Sequence, residues 1–165
     1  QAQPKFPAVL EGHAVLPAMT LVPPPADAPA SLKISGRYAA AAGKRTDAPD
    51  SVAANSALSD RAAPRPTGGK LPLTGQPVQG FSGIKRVGDG SYVVVTDNGF
   101  GSKANSPDAM LMFHRLKPNW QTGAVELLAT RFLHDPDRKV PFVIVNEHSE
   151  KRYLTGGDFD LESVQ

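Results

Sequence analysis

The feature that most constrains the fold is a series of short apolar runs, separated by turn residues, in the second half of the chain. The runs lie at 78–87, 91–96, 109–117 and 124–133. Gly88-Asp89-Gly90, between the first two runs, carries an Asp-Gly signal that is typical of a tight β-hairpin. Short strands at regular spacing, with no long helical period, indicate an all-β protein.

Alternation within these runs predicts which side chains share a face of the sheet. In 109–117, Met110, Met112 and His114 fall on one face, and Leu111, Phe113 and Arg115 fall on the other. Two further strands are predicted at 142–146 and at 158–165. The last of these stops without a partner strand, which would leave an apolar edge uncovered. We therefore expect the chain to be a piece of a larger protein, with the C-terminal remainder of the same precursor as its partner.

Residues 1–70 have a different composition. They hold most of the alanines and prolines of the chain, whereas most of the aromatic residues lie in 71–165. A segment with so little apolar surface has little to offset the entropy cost of ordering it. We expect 1–70 to be a Pro/Ala-rich segment with short strands in 6–25 and 31–40. A flexible connection is predicted at about 41–70, a helical turn in 51–59 being the alternative there, and the core is predicted in 71–165.

Charge and cysteine content exclude several classes of protein. The net charge is +2, and neither half has the basic stripe that nucleic-acid binding needs. No apolar run approaches the roughly 18 residues of a membrane span. The absence of cysteine excludes disulfides and thiolate chemistry. The chain starts at Gln1 without a signal sequence, as expected for a mature chain whose export signal has already been removed. A trimmed sequence would start in the same way.

The first candidate site is Asp97-Asn98-Gly99, at the end of the run 91–96. A carboxylate and a side-chain carbonyl are hard oxygen ligands of the kind that calcium prefers. Asn-Gly is also ordinary turn chemistry, with a residue at positive φ. The loop that follows is longer than a tight turn requires, which favours a functional role.

The second candidate is an acidic pattern of period two, formed by Asp158, Asp160 and Glu162. In an extended segment these carboxylates would lie on one face and would repel each other unless a cation or bases neutralised them. A solvated strand edge is the alternative.

A third candidate is the charged loop 134–141, where Arg138 and Lys139 could hold a phosphate or a carboxylate. An exposed, solubilising turn is the alternative there. The four histidines have no metal-ligand spacing, and the sequence contains no nucleophile elbow, Walker loop, dinucleotide fingerprint or zinc-protease motif. The catalytic residues are therefore unknown at this stage.

Four long motifs stand out in the second half of the chain: "GQPVQGFSGI" (75–84), "DGSYVVVTDNGFGSKANSPDAMLMF" (89–113), "FLHDPDRKVPF" (132–142) and "EKRYLTGGDFDLES" (150–163). Together they resemble the N-terminal part of the bacterial phytase-like family, which is also described by the esterase-like activity of phytase. An earlier segment, "GHAVLPAMTLVPPPADAP" (12–29), is similar to the leader region of the family.

The resemblance implies an exported bacterial hydrolase, periplasmic or secreted, whose signal peptide has been removed. It would act on a small-molecule phosphate or carboxylic ester with metal assistance. It also implies that the chain forms the first blades of a β-propeller. Carried over residue by residue, Asp97 and Asn98 match the first acidic turn of the family, and Asp160 and Glu162 match the second. These residues would hold Ca²⁺, and the bases that would bind the substrate anion are Lys103, Arg138 and Lys139.

Two other interpretations remain open. The first is a non-catalytic propeller that serves as a binding or structural subunit of a cell-envelope assembly. The second is an inert proteolytic remnant.

Overall fold

The structure is a computed structural model, and it describes residues 7–39, 52–56 and 65–165. Its eight strands are β1 (Leu21–Val22), β2 (Val52–Ser56), β3 (Arg65–Leu71), β4 (Gln76–Pro77), β5 (Phe81–Arg86), β6 (Tyr92–Thr96), β7 (Met112–Pro118) and β8 (Val125–Phe132). Helical structure in the described part of the chain is limited to short 3₁₀ turns, including Ala30–Leu32 and Lys103–Asn105. The prediction of a predominantly β protein is confirmed.

The main sheet is a four-stranded antiparallel meander in the order β5-β6-β7-β8. Its first hairpin closes at the predicted Gly-Asp-Gly turn, where Asp89 Oδ1 accepts hydrogen bonds from the backbone N–H and from the hydroxyl of Ser91. Gly90 takes the positive φ of +82° that this turn requires. Arg115 on β7 forms an ion pair with Asp89 at 2.5 Å, which ties the turn to the third strand.

The predicted alternation along β7 is confirmed. Met112, His114 and Leu116 are buried, whereas Phe113 and Arg115 between them are exposed. The buried face packs on side chains from the N-terminal region and from the loop after β8. The core cluster contains Val22, Ala28, Leu32, Val78, Met110, Met112 and Tyr153.

Short contacts attach the N-terminal region to this sheet. Strand β1 pairs with β4, with Leu21 opposite Pro77, and Val15 forms a parallel bridge with Ala124 at the start of β8. The short strands predicted in 6–25 are thus confirmed in part. The strand predicted at 31–40 is replaced by the 3₁₀ turn and by a single bridge from Ser35 to Leu73.

A buried glutamine connects these parts by satisfying three backbone groups at once. Gln76 Nε2 donates to the carbonyls of Leu32 and Asp108, and its Oε1 accepts from the N–H of Met110. Asp108 in turn accepts from the backbone N–H groups of Gly36 and Arg37. Burial raises the pKa of the Asp108 carboxyl.

Several local predictions are wrong. Residues 142–146 form bends and turns, and 158–165 forms no strand. In the first segment the backbone donors bond to side chains: the N–H of Ile144 donates to Glu147 Oε2 and the N–H of Val145 donates to Asp158 Oδ1. Backbone N–H groups that are bonded to side chains in this way cannot also pair with a neighbouring strand. The helical turn predicted in 51–59 is also wrong, because β2 lies there, and most of the connection predicted at 41–70 lies outside the described residues.

The C-terminal segment passes close to strand β5. A Cβ on Gly83 would lie 2.7 Å from the backbone nitrogen of Val164, so a glycine allows the two chains to approach. A four-stranded antiparallel meander is the sheet that a β-propeller repeats around its axis. The described residues contain one such sheet and no closed ring of sheets, so the propeller remains a prediction.

Candidate functional site

The Asp97-Asn98-Gly99 turn lies where strand β6 leaves the main sheet. The N–H of Asp97 donates to the carbonyl of Gly80 at 2.7 Å, and Asp97 Oδ1 accepts from the N–H of Gly99 at 2.7 Å. Gly99 has a φ of +94°, a region that favours glycine. The turn chemistry expected from Asn-Gly is therefore present.

Asn98 joins this turn to the acidic C-terminal segment. Its backbone N–H donates to Asp160 Oδ1 at 3.2 Å, and its Nδ2 donates to Asp160 Oδ2 at 2.9 Å. Asn98 is only 6% exposed, so these bonds satisfy donors that water does not readily reach. The structure thus brings together the first two candidate motifs of the sequence.

The backbone of the C-terminal segment also touches the turn directly. A Cβ on Gly156 would lie 1.9 Å from the carbonyl oxygen of Asn98, so no residue with a side chain fits there without a shift. Gly157, the next residue, packs in the same way: a Cβ there would lie 2.9 Å from Val145 Cγ2. This glycine pair was not among the residues predicted for the site, although two adjacent glycines before an acidic pattern were the available signal.

Asp158 has a structural role and does not share a face with Asp160. Its carboxylate is buried and accepts from the N–H of Val145 at 2.7 Å and from the N–H of Thr155 at 2.8 Å. The expectation that three carboxylates lie on one face is wrong, because the segment is not a strand. Asp160 and Glu162 are exposed, and no hydrogen bond or ion pair within the described residues joins Glu162 to Asp97.

The turn offers part of a coordination sphere for a cation. Asn98 Oδ1 is buried and has no hydrogen-bond partner. Two carboxylates lie nearby: Asp97 is in the same turn, and Asp160 is hydrogen-bonded to Asn98. Among the described residues, no group of three or more His, Asp or Glu side chains could hold a metal ion. Calcium takes roughly six to eight oxygens, so these donors fit a calcium site only with further oxygens from water or from substrate.

Lys103, the first of the bases predicted to bind the substrate anion, lies beside this junction. It begins a 3₁₀ turn whose N-cap is Ser102, and the Ser102 hydroxyl accepts from the N–H of Asn105. Lys103 Nζ donates to the carbonyl of Asp158 at 2.8 Å. An exposed ammonium group is therefore held against the segment that carries Asp160.

Arg138 and Lys139 lie in a second polar cluster. Arg138 Nη1 pairs with Glu147 Oε1 at 2.5 Å, and the backbone N–H of Lys139 donates to Asp135 Oδ1. The side chain of Lys139 is exposed. Within the described residues, no hydrogen bond or ion pair joins either base to Asp97, Asn98 or Asp160.

The centre of this second cluster is a buried arginine that sequence analysis did not single out. Arg152 is 2% exposed and pairs with Asp135 at 3.1 Å and with Glu147 at 2.6 Å. Its hydrogen bond to Glu147, together with the backbone N–H of Ile144, lowers the pKa of the Glu147 carboxyl to about 2. Arg152 links Asp135 to Glu147 across the loop 134–152, and each of these three buried or half-buried charges has an opposite partner.

A family model described as phytase-like, with the esterase-like activity of phytase, matches residues 76–165. The chain belongs to the phytase-like family. The match confirms the resemblance found in the sequence. No curated protein matched the phytase-like chain, and neither did any solved structure.

The matched region contains both halves of the candidate site. It begins at β4, includes the whole meander β5–β8 and extends through the segment that carries Asp160. The Asn98–Asp160 contact is therefore internal to the phytase-like region. Among its described residues, the phytase-like chain has no helix long and apolar enough to cross a membrane.

Proposed function

We propose that the phytase-like chain is the N-terminal part of an exported, metal-assisted hydrolase of phosphate or carboxylic esters. The meander β5–β8 would be one blade of its β-propeller. The observation that carries the proposal is the bidentate contact of Asn98 with Asp160, which joins the two acidic motifs inside the family-matched region. This contact leaves Asn98 Oδ1 buried and free to accept.

Calcium would be held by Asp97, Asn98, Asp160 and Glu162. A bound divalent cation neutralises an anionic ester and polarises its P–O or C=O bond. The residues of the chain contribute the position of the oxygens: Asp160 orients the Asn98 amide so that its Nδ2 is occupied and its Oδ1 remains available. Glu162, two residues after Asp160 and exposed, would add a further carboxylate.

Binding of the substrate anion is assigned first to Lys103. Its ammonium group donates to the carbonyl of Asp158 and has further N–H donors for a phosphate or a carboxylate. Arg138 and Lys139 are the second pair of bases, and of these Lys139 has the exposed ammonium group without a described partner. Arg138 is already paired with Glu147.

The test is hydrolysis by the native protein of p-nitrophenyl acetate, p-nitrophenyl phosphate and phytate, with added calcium and with a chelator. Asp97→Ala is expected to lose most activity at fixed calcium. Asp137→Ala is the matched control, because Asp137 is exposed and has no described partner. Hydrolysis that resists both the chelator and Asp97→Ala would overturn the metal role.

A second candidate is a non-catalytic propeller that acts as a binding or structural subunit of a cell-envelope assembly. The observation that favours it is the lack, among the described residues, of three converging metal-binding side chains. In that case Asn98 and Asp160 only fix the loop geometry. A folded native protein that binds no calcium and cleaves none of the three substrates would support this function and exclude the hydrolase.

A further inference from the structure

Trp120 is the only tryptophan of the chain and lies in the turn between β7 and β8. Its side chain is 55% exposed. It borders three surface cavities of about 600, 470 and 270 Å³. Burying such a large aromatic ring would stabilise the fold. Its exposure beside three cavities therefore favours a role in binding.

Hydrogen bonds define the backbone conformation of the turn that carries Trp120. Asn119 Oδ1 accepts from the N–H groups of Gln121 and Thr122, and the N–H of Asn119 donates to the carbonyl of Ala124 at 2.8 Å. Gly123 takes a φ of +76°. The exposed ring is therefore carried on a fixed support, so little conformational entropy would be lost when it binds a ligand.

The N-terminal segment is in contact with the same turn. A Cβ on Gly12 would lie 3.3 Å from Trp120 Cβ, which means that the two chains are in contact. The N–H of Val15 donates to the carbonyl of Gly123 at 2.9 Å. The β7–β8 turn that carries Trp120 is thus in contact with the N-terminal segment, and residues of both line the cavity of about 470 Å³.

Polar side chains of both signs line part of the surface beside the ring, whereas the smallest of the three cavities is lined by apolar and aromatic side chains. The largest cavity is lined by Lys117, Gln121, Thr122 and Glu126 in addition to Trp120, and the cavity on the N-terminal side includes Glu11. This set offers hydrogen-bond donors and acceptors, and its two carboxylates outnumber its one ammonium group. This excess of negative charge disfavours the binding of an anion such as phosphate. The residues that line these cavities also form no basic stripe of the kind that binds a nucleic acid.

We propose that Trp120 and the polar side chains of the largest cavity form a binding site for a neutral saccharide chain. A pyranose ring has an apolar C–H face that stacks on a flat aromatic ring, and its hydroxyls both donate and accept hydrogen bonds. An exposed indole beside an amide, a hydroxyl, a carboxylate and an ammonium group matches both properties.

This saccharide site is distinct from the Asn98 site. Trp120 follows the end of β7, whereas Asn98 follows the end of β6, and the two strands are antiparallel. Tyr92 is paired with Leu116 at the Trp120 end, and Thr96 hydrogen-bonds to Met112 at the Asn98 end. The two sites therefore lie at opposite ends of the sheet, and one can be lost without the other.

The experiment uses maltohexaose, cellohexaose and chitohexaose as probes of the native protein. Because Trp120 is the only tryptophan, its fluorescence reports directly on this turn. We expect a saturable change in emission with at least one of the three probes. Calorimetry with the same probe should then show that Trp120→Ala weakens binding roughly tenfold or more, the loss expected for one aromatic stacking contact, and that Trp120→Phe retains part of the affinity.

Phe142→Ala is the matched control, since Phe142 is an exposed aromatic residue, 47% accessible, outside these three cavities. The Phe142→Ala variant should bind the probe with the same affinity as the unmodified protein. A thermal melt of each variant establishes that it is folded. Inorganic phosphate and polygalacturonate serve as anionic probes for comparison. The proposal is overturned if no neutral probe gives a saturable signal, if Trp120→Ala binds as well as the unmodified protein, or if only an anionic probe binds.

Discussion

Asn98 donates two hydrogen bonds to the carboxylate of Asp160, although the two residues are 62 positions apart in the chain. One bond comes from the backbone N–H and the other from the side-chain amide, so a single carboxylate fixes both the path of the turn and the orientation of the Asn98 side chain. The turn after β6 and the C-terminal segment consequently form one structural unit.

The first prediction concerns Asp160→Ala, which leaves two donors of a buried residue without acceptors. We expect the free energy of unfolding to fall by about 1–3 kcal/mol, the usual cost of unsatisfied buried polar groups, as measured by urea denaturation. Glu162→Ala in the same segment, where the side chain is exposed, should change it by no more than about 0.5 kcal/mol. Equal stability of the two variants would show that the contact does not hold the segment.

The second prediction concerns Gly156→Ala. The new Cβ would lie 1.9 Å from the carbonyl oxygen of Asn98, a backbone atom that cannot rotate away. We expect a loss of at least about 3 kcal/mol, at the upper end of the cost of overpacking, seen as a lower urea midpoint. Gly88→Ala is the control because nothing lies within 4 Å of a Cβ there. A Gly156→Ala protein as stable as this control would contradict the close approach.

The third prediction concerns His114, which is fully buried and whose Nδ1 contacts Thr130 Oγ1 at 2.8 Å. Burial lowers the pKa of His114 to about 4. Between pH 6.5 and pH 4 the unfolded chain therefore binds a proton that the folded chain does not. Stability should fall as the pH is lowered through this window, by on the order of 3 kcal/mol from His114 alone.

The measurement is urea denaturation at several pH values, with NMR titration of the imidazole. His114→Gln should show a weaker dependence of stability on pH between 6.5 and 4, because glutamine does not titrate. A His114 pKa near its ordinary value would refute this explanation.

The fourth prediction concerns Glu147, whose pKa of about 2 results first from its hydrogen bond with Arg152. The carboxyl of the folded protein is the stronger acid, so its contribution to stability is present above about pH 4.5 and is lost as the pH falls towards 2. Glu147→Gln should flatten the dependence of the urea midpoint on pH in that acid window. Glu150→Gln, at an exposed position, should retain the slope of the unmodified protein.

The main sheet could be predicted from the sequence because its strands and turns are specified by residues that are neighbours in the chain. Alternation along β7 and the Asp-Gly signal before β6 depend on neighbouring residues, and both were confirmed. The segment 142–146 has the same apolar character but is not a strand, because Asp158 and Glu147 accept hydrogen bonds from its backbone. A pattern of apolar residues cannot reveal acceptors that come from another part of the chain.

The candidate site was predictable only as separate pieces. Asp97-Asn98 and the acidic segment were each visible as motifs, yet their pairing depends on the tertiary contact of Asn98 with Asp160. The buried Arg152 gave no signal, since a run of charged residues such as 150–152 is usually solvated. The roles proposed for Lys103, Arg138 and Lys139 stay predictions.

The same contact also bears on the chemical lifetime of the protein. In an Asn-Gly sequence the glycine nitrogen can attack the asparagine side chain, expelling ammonia and leaving a succinimide that hydrolyses to aspartate or isoaspartate. Here the Asn98 amide nitrogen is bound to Asp160, and the Gly99 nitrogen is bound to Asp97. The attacking group and the leaving group are therefore both restrained, so ageing at this peptide bond follows the rate at which the turn opens.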